Sequence, residues 1–245
     1  MMIPICSAAV TFAECSEKGK SGSSVYNAIN KAVEMLIEST DIDTDRIFGI
    51  SAATEYGSTD LFAYGEGLIM DKGLKGFRAQ LASRLILCEP ASQTAITRSI
   101  KGMNLTFIGR GNGFISALEF LCVTEQFDEQ HLIIAAEGEM AGDKSYGGAL
   151  LLGGVGKCFL KAVRTAFSVS KAERNEAENK LFELCCADAG ISALDIKRIG
   201  SIDAPITSYG VVDMILKAAD MVETNENICI TTSNRGILGC IIIGK

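Results

Sequence analysis

Continuous apolar runs and stretches of helical spacing take turns along this chain. Residues 2–14 predict an opening strand, and GKSGSS (19–24) a loop. Over 25–39 the apolar positions Val25, Ile29, Ala32, Met35 and Leu36 recur at helical spacing, and DIDTD follows as a turn. RIFGISAAT (46–54) reads as a buried strand; Ser58, Thr59 and Asp60 then offer caps for a helix through LFAYGEGLIM. The segment 78–100 reads as a helical stretch interrupted at Pro90, and 103–109 as a strand running through RGNG into a helix over 114–126. LIIAAEGEM (132–140) is a strand, and 147–154 and 156–165 read as strands paired with each other across a glycine turn. A second series begins near Ser168: a helix over 171–190 ending at glycine, the strand IKRIGSIDA, a helix over 209–221, and the closing strands ICITTS and ILGCIIIG. Strands that are apolar throughout, alternating with helices, predict an α/β protein whose sheets are covered on both faces.

Composition narrows the function. The 245 residues allow one large domain or two small ones. Hydrophobic residues make up 48% and the mean hydropathy is +0.25, which suits either buried strands or a permanent subunit interface. A net charge of −7 and a pI near 4.9 argue against a nucleic-acid partner, which needs clustered Lys and Arg, and against an anionic membrane surface. The nine cysteines form no CxxC pair, Cys185 and Cys186 are adjacent, and several sit inside apolar runs. They read as buried reduced thiols rather than as disulfides. His131 is the sole histidine, so no metal site is expected. The apolar start MMIPICSAAVTF lacks a basic flank and a cleavage site, and no run is long enough for a membrane span, so the expectation is a cytoplasmic protein.

The stretch 98–120, RSIKGMNLTFIGRGNGFISALEF, carries the most information. Its GRGNG lacks the GK[ST] ending and the GxGxxG spacing of a phosphate loop; an ordinary turn remains open. The whole stretch resembles the nucleophile segment of the β-ketoacyl synthases. There a Gly-Pro-Asn-like turn, a strand, the nucleophilic Cys and a small Ser-Gly pair open a buried helix. Such a strand-to-helix turn places a thiol at a positive helix end, beside backbone N–H groups that can hold an oxyanion. Counted from Gly102, the nucleophile position falls on Gly111, or on Arg110 after a one-residue slip. GISAATEYGSTD, LIIAAEGEM and AGDKSYGGALLLG resemble further core segments of the family. CCADAGISALDIKRIGSIDAPITSYGVVD resembles the segment bearing its Asn-Ala-His-Gly-Thr-Gly-Thr loop, with Pro205 at the histidine position. The second histidine loop has no counterpart, and TSNRGILG (232–239) resembles the family's Ser-Asn-x-Phe-Gly-x-Gly-Gly ending in condensed form.

The resemblance implies a thiolase-like layered αβαβα fold in one domain, 1–245, compact beside full ketosynthases. Its approximate halves are 1–165 and a shortened 166–245. It also implies a subunit without catalytic residues of its own, because the degenerate positions Gly111 and Pro205 supply neither thiolate nor imidazole. The setting it implies is that of a chain-length factor in a type II polyketide synthase. Such a subunit pairs with an active ketosynthase, meets the acyl carrier protein through that complex, and needs no cofactor. The helix over 59–70 would line the elongation tunnel with Leu61, Phe62, Gly65 and Leu68. The strand bearing Asn104, Leu105, Thr106, Phe107 and Ile108 would pair across the subunit interface. Chain-length factors commonly carry Gln at the nucleophile position; Gly111 cannot take a decarboxylating role from it. Two other readings stand beside this one. The first is a structural partner in an aryl-polyene or fatty-acid-like synthase, without control of chain length. The second is a small enzyme using Cys158 or Cys186.

Overall fold

The structure is a computed structural model. It describes residues 2–14, 23–109, 111–124, 132–141, 144–167, 170, 172–202, 210–221, 226–234 and 236–245. The chain makes the same passage twice. Strand β1 (Ile3–Glu14) leads to helix α1 (Ser24–Thr40), which buries Val25, Ile29, Ala32, Val33 and Leu36 on one face. Ser23 caps it by accepting from the Tyr26 amide at 2.9 Å, and Asp41 ends it in the left-handed region. A 3-10 turn, Thr44–Arg46, is capped by Asp43 and feeds β2 (Ile47–Thr54). Later, β6 (Cys158–Phe167) leads to α6 (Arg174–Ala189), which ends at left-handed Gly190. A 3-10 turn, Ala193–Asp195, is capped by Ser192 and feeds β7 (Ile196–Ile202).

The rest of each passage also matches. In the first, β2 is followed by α2 (Thr59–Lys72), the short α3 (Ala79–Ala82), α4 (Glu89–Thr97), β3 (Met103–Ile108), α5 (Gly111–Val123), β4 (Leu132–Ala141) and β5 (Lys144–Leu152). In the second, β7 is followed by α7 (Gly210–Met221), β8 (Asn227–Asn234) and β9 (Ile237–Gly244). The strands form one sheet in the order β3-β2-β4-β5-β1-β6-β9-β8-β7. β2 lies parallel to β4, β4 antiparallel to β5, and β5 antiparallel to β1. β7, β8, β9 and β6 repeat those three pairings. The two units meet where β1 pairs with β6, Ile3 opposite Leu160. Among the described residues the second unit shows no counterparts of α2 to α4 or of β3.

Three cores define the layers. α1 and α4 cover the outer face of the first unit, and α6 covers the outer face of the second. Between the inner faces lie α5 and α7, which share a core with β1, β4, β5, β6, β8 and β9. Helix, sheet, helix, sheet, helix is the layered arrangement that the resemblance implied.

Two expectations change. Pro90 does not interrupt a helix; it sits in the first turn of α4, where its missing N–H costs nothing. The runs 147–154 and 156–165 correspond to β5 and β6, which do not pair with each other. Both edges of β5 are taken by β1 and β4, so β6 lies on the far side of β1. The connecting turn crosses β1 so closely that a Cβ on Gly156 would lie 2.5 Å from the Ile5 carbonyl oxygen.

Candidate functional site

The turn from β3 to α5 brings the expected nucleophile position to the first residue of a buried helix. Gly111 is buried there, and a Cβ on it would lie 2.9 Å from Cγ2 of Val211, in the first turn of α7. The space a catalytic thiol would need is occupied by the other unit's helix. Next to it, buried Asn112 ties α5 to the closing hairpin. Its amide donates to the Ile237 carbonyl at 2.9 Å, and its carbonyl oxygen accepts from the Thr232 hydroxyl. A depression of about 430 Å³ opens beside this helix start, walled by Glu55, Tyr56, Asn112, Ser116 and Asn234 among others. Among the described residues its lining includes no cysteine and no histidine. Backbone N–H groups at a helix start can hold an oxygen atom.

Pro205, Arg110 and His131 lie outside the described residues. The start of α7 is held by Glu137 of β4. Its carboxyl accepts from the Val212 amide at 2.6 Å and also from Val211. The fit is close: a Cβ on Gly210 (φ +75°) would lie 2.2 Å from that carboxyl oxygen. Full burial raises the Glu137 pKa to about 8, the two amides working against the shift and nearby Glu139 and Asp213 adding to it. Two residues on, and on the same face, Glu139 accepts from the amides of Glu55 and Tyr56 and so fixes the loop after β2. A third buried carboxyl, Glu89 at the start of α4, accepts from Ser23 at 3.1 Å, and burial raises it to about 7.

The expected tunnel residues divide. Leu61 and Gly65 are buried, and the open side of Gly65 is taken by this chain's own Phe77 and Leu81, at 3.1 and 3.2 Å from a built Cβ. Leu68 is half-buried and borders a separate cavity, while Phe62 is 52% exposed. The expected interface strand is β3, the edge of the sheet. Leu105, Thr106 and Phe107 are half-buried, and Asn104 and Ile108 are exposed. Phe107 packs on Phe120, centroids 5.8 Å apart. The buried Thr106 hydroxyl has no partner among the described residues.

Sequence reasoning missed Glu137, Val211 and Asn112. A signal existed for one of them: two glutamates alternate inside the otherwise apolar LIIAAEGEM, and a charge on a core face is there for a partner. Cys158 and Cys186, the two cysteines considered as alternative nucleophiles, are buried. Burial raises the Cys158 thiol and pushes Cys186 up to about 11, the reverse of activation. No cluster among the described residues could hold a metal ion, and no described helix is long and apolar enough to cross a membrane.

No known protein family matches the sequence, and no curated protein does. Solved structures match in shape. A chain of a type II polyketide synthase complex, an acyl-carrier protein with its ketosynthase bound to the hexaketide, superposes with a TM-score of 0.78 at 12% identity, covering 99% of both chains. The ishigamide ketosynthase/chain length factor gives 0.76 at 14% identity, over 94% of this chain and 82% of that one. The 3-oxoacyl-[acyl-carrier-protein] synthase III of Aquifex aeolicus VF5 gives 0.65 at 11%, over 99% and 100%. At these identities the likeness is one of architecture: the chain has the thiolase-type fold of the ketosynthases, in a compact form whose second unit, among the described residues, is one strand short.

Proposed function

We propose that this protein is a non-catalytic subunit that pairs with an active ketosynthase and shapes the elongation tunnel, as a chain-length factor does. The observation that carries the reading is Gly111. The helix and turn that would present a nucleophile are kept, while the side chain is absent and its space is filled by Val211. A framework kept without its chemistry suits a partner subunit better than an independent enzyme. The edge strand β3 offers unpaired backbone groups, and Ile108 is 67% exposed beside it. An exposed apolar edge invites pairing with another chain. In the complex, Phe62 and Leu68 would face the growing product, with Leu61 and Gly65 fixing the helix that carries them. The carrier protein would reach the tunnel through the active partner.

A scaffold without control of chain length is favoured by one observation: the open side of Gly65 is packed within this chain. Coexpression with a ketosynthase and its carrier protein, followed by product analysis, separates the two. A chain-length factor gives a 1:1 complex whose product length shifts when Phe62 is changed. A scaffold gives the complex with unchanged products, and no complex at all removes both readings.

A further inference from the structure

Helix α2 and the turn after it build a cavity of about 490 Å³, within the usual range for small-molecule sites. Tyr64, Leu68 and Lys72 face it from successive turns of α2. After left-handed Gly73 the chain doubles back, and Gly76 comes so close that a Cβ there would lie 2.8 Å from the Leu68 carbonyl oxygen. That approach closes one side. Leu81, from α3, is buried beside Gly65 and helps form the base.

The charge is concentrated. Residues 72–88 contain Lys72, Lys75, Arg78 and Arg84 and neither Asp nor Glu, in a chain whose net charge is −7. All four cations line this one cavity. None belongs to an ion pair among the described residues, although the Arg84 charge reaches Glu89. Four like charges around one hollow repel each other, and an anion bound between them relieves the repulsion. Two guanidinium groups favour a phosphate, which they can grip with paired N–H bonds. A concave site with a leucine base also has room for an apolar or aromatic group, which an inorganic ion would leave unused.

We propose that this cavity binds an organic phosphate, holding the phosphate among the four cations and the organic group against Leu68 and Leu81. The site is separate from the α5 start and shares only Leu68 with the proposed tunnel wall; its four cations do not depend on the chain-length reading, so either can fail alone. Because Lys72, Lys75 and Arg78 are exposed, each contact is modest and weakens with salt.

Calorimetric titration of the purified protein, in whatever assembly it purifies, tests this with adenosine 3′,5′-bisphosphate as the probe. The bisphosphate should bind with a Kd below about 1 mM, inorganic phosphate more weakly, and adenosine not at all. Lys75→Glu with Arg78→Glu should weaken binding by about tenfold or more while leaving the thermal midpoint unchanged. Lys157→Glu, an exposed cation at the β5–β6 turn, should leave the affinity as it was. No bisphosphate binding, or binding that the charge reversals do not weaken, overturns the proposal. Capture of poly-glutamate without capture of the bisphosphate overturns it too, and assigns the surface to an acidic protein.

Discussion

A side-chain carbon on Gly111 would lie 2.9 Å from Cγ2 of Val211, so the two units of the fold meet where a nucleophile would stand. Gly111 carries no side chain, and Val211 occupies the space one would need. Gly111→Cys alone should overpack this contact and cost about 1–3 kcal/mol. Adding Val211→Ala removes the colliding atom and should recover most of that stability. Thermal denaturation of both variants checks this; a fully stable single variant would show that α7 yields easily. The unaltered protein should neither condense nor decarboxylate malonyl thioesters, and acyl transfer to any of its cysteines would refute the subunit reading.

Gly210→Ala should be more damaging than a surface glycine change. The residue sits at φ +75°, and its Cβ would meet the Glu137 carboxyl at 2.2 Å. Strain and collision together should cost about 2–3 kcal/mol. Gly67→Ala, on α2 with open space around it, is the control and should be neutral or slightly stabilising.

Stability should depend on pH through Glu137. Its folded pKa, about 8, lies above its unfolded value near 4.5, so the folded state holds a proton that the unfolded state releases between those limits. The stabilisation is complete below about pH 4.5 and is lost as pH rises towards 8. Glu89, raised to about 7, acts in the same direction over a narrower window. Glu137→Gln keeps an acceptor for the Val212 amide and removes the titration. Its melting temperature should fall less between pH 5 and pH 8 than that of the parent, a range spanned by the cited values. Parallel curves would assign the pH dependence to other groups.

Product length should respond to Phe62. Phe62→Ala, on the exposed face of α2, should lengthen or disperse the product of the assembled complex without stopping turnover. Gly65→Trp is the contrasting change. Phe77 and Leu81 close on that position, so it should disturb α2 and weaken the protein rather than shorten the product cleanly.

Assembly should depend on β3. Ile108→Lys places a charge on its exposed apolar end and should reduce copurification with a ketosynthase while leaving the fold intact. Retention of the complex would move the interface elsewhere.

Nearly all of the strands and helices were legible, because apolar runs and helical spacing separate cleanly here. The duplication was not, since the capped turns at Asp43 and Ser192 share geometry with little sequence. The pairing of β5 with β1 rather than β6 could not be read either: a glycine turn announces a reversal and says nothing of a third strand entering between its arms. At the site, the resemblance pointed to Gly111, which the structure places, buried, at the start of α5. Val211 was not visible, because only packing shows which distant side chain fills a gap. Glu137 was visible as a charge in an apolar strand and invisible as the cap of a helix from the other unit.

The pairing of β1 has a further consequence, for how the chain folds. Ile5 lies opposite Leu152 in one neighbour, while Ile3 lies opposite Leu160 in the other. On the ribosome the first strand must wait, apolar and unpaired, until more than half of the chain has been made. Closing so long a loop is slow, and waiting strands are the ones that aggregate. Moving β1 by circular permutation to follow β9 would place it after both strands it joins, β5 and β6, and shorten the chain between it and each of them. Such a permutant should refold faster and leave less protein insoluble.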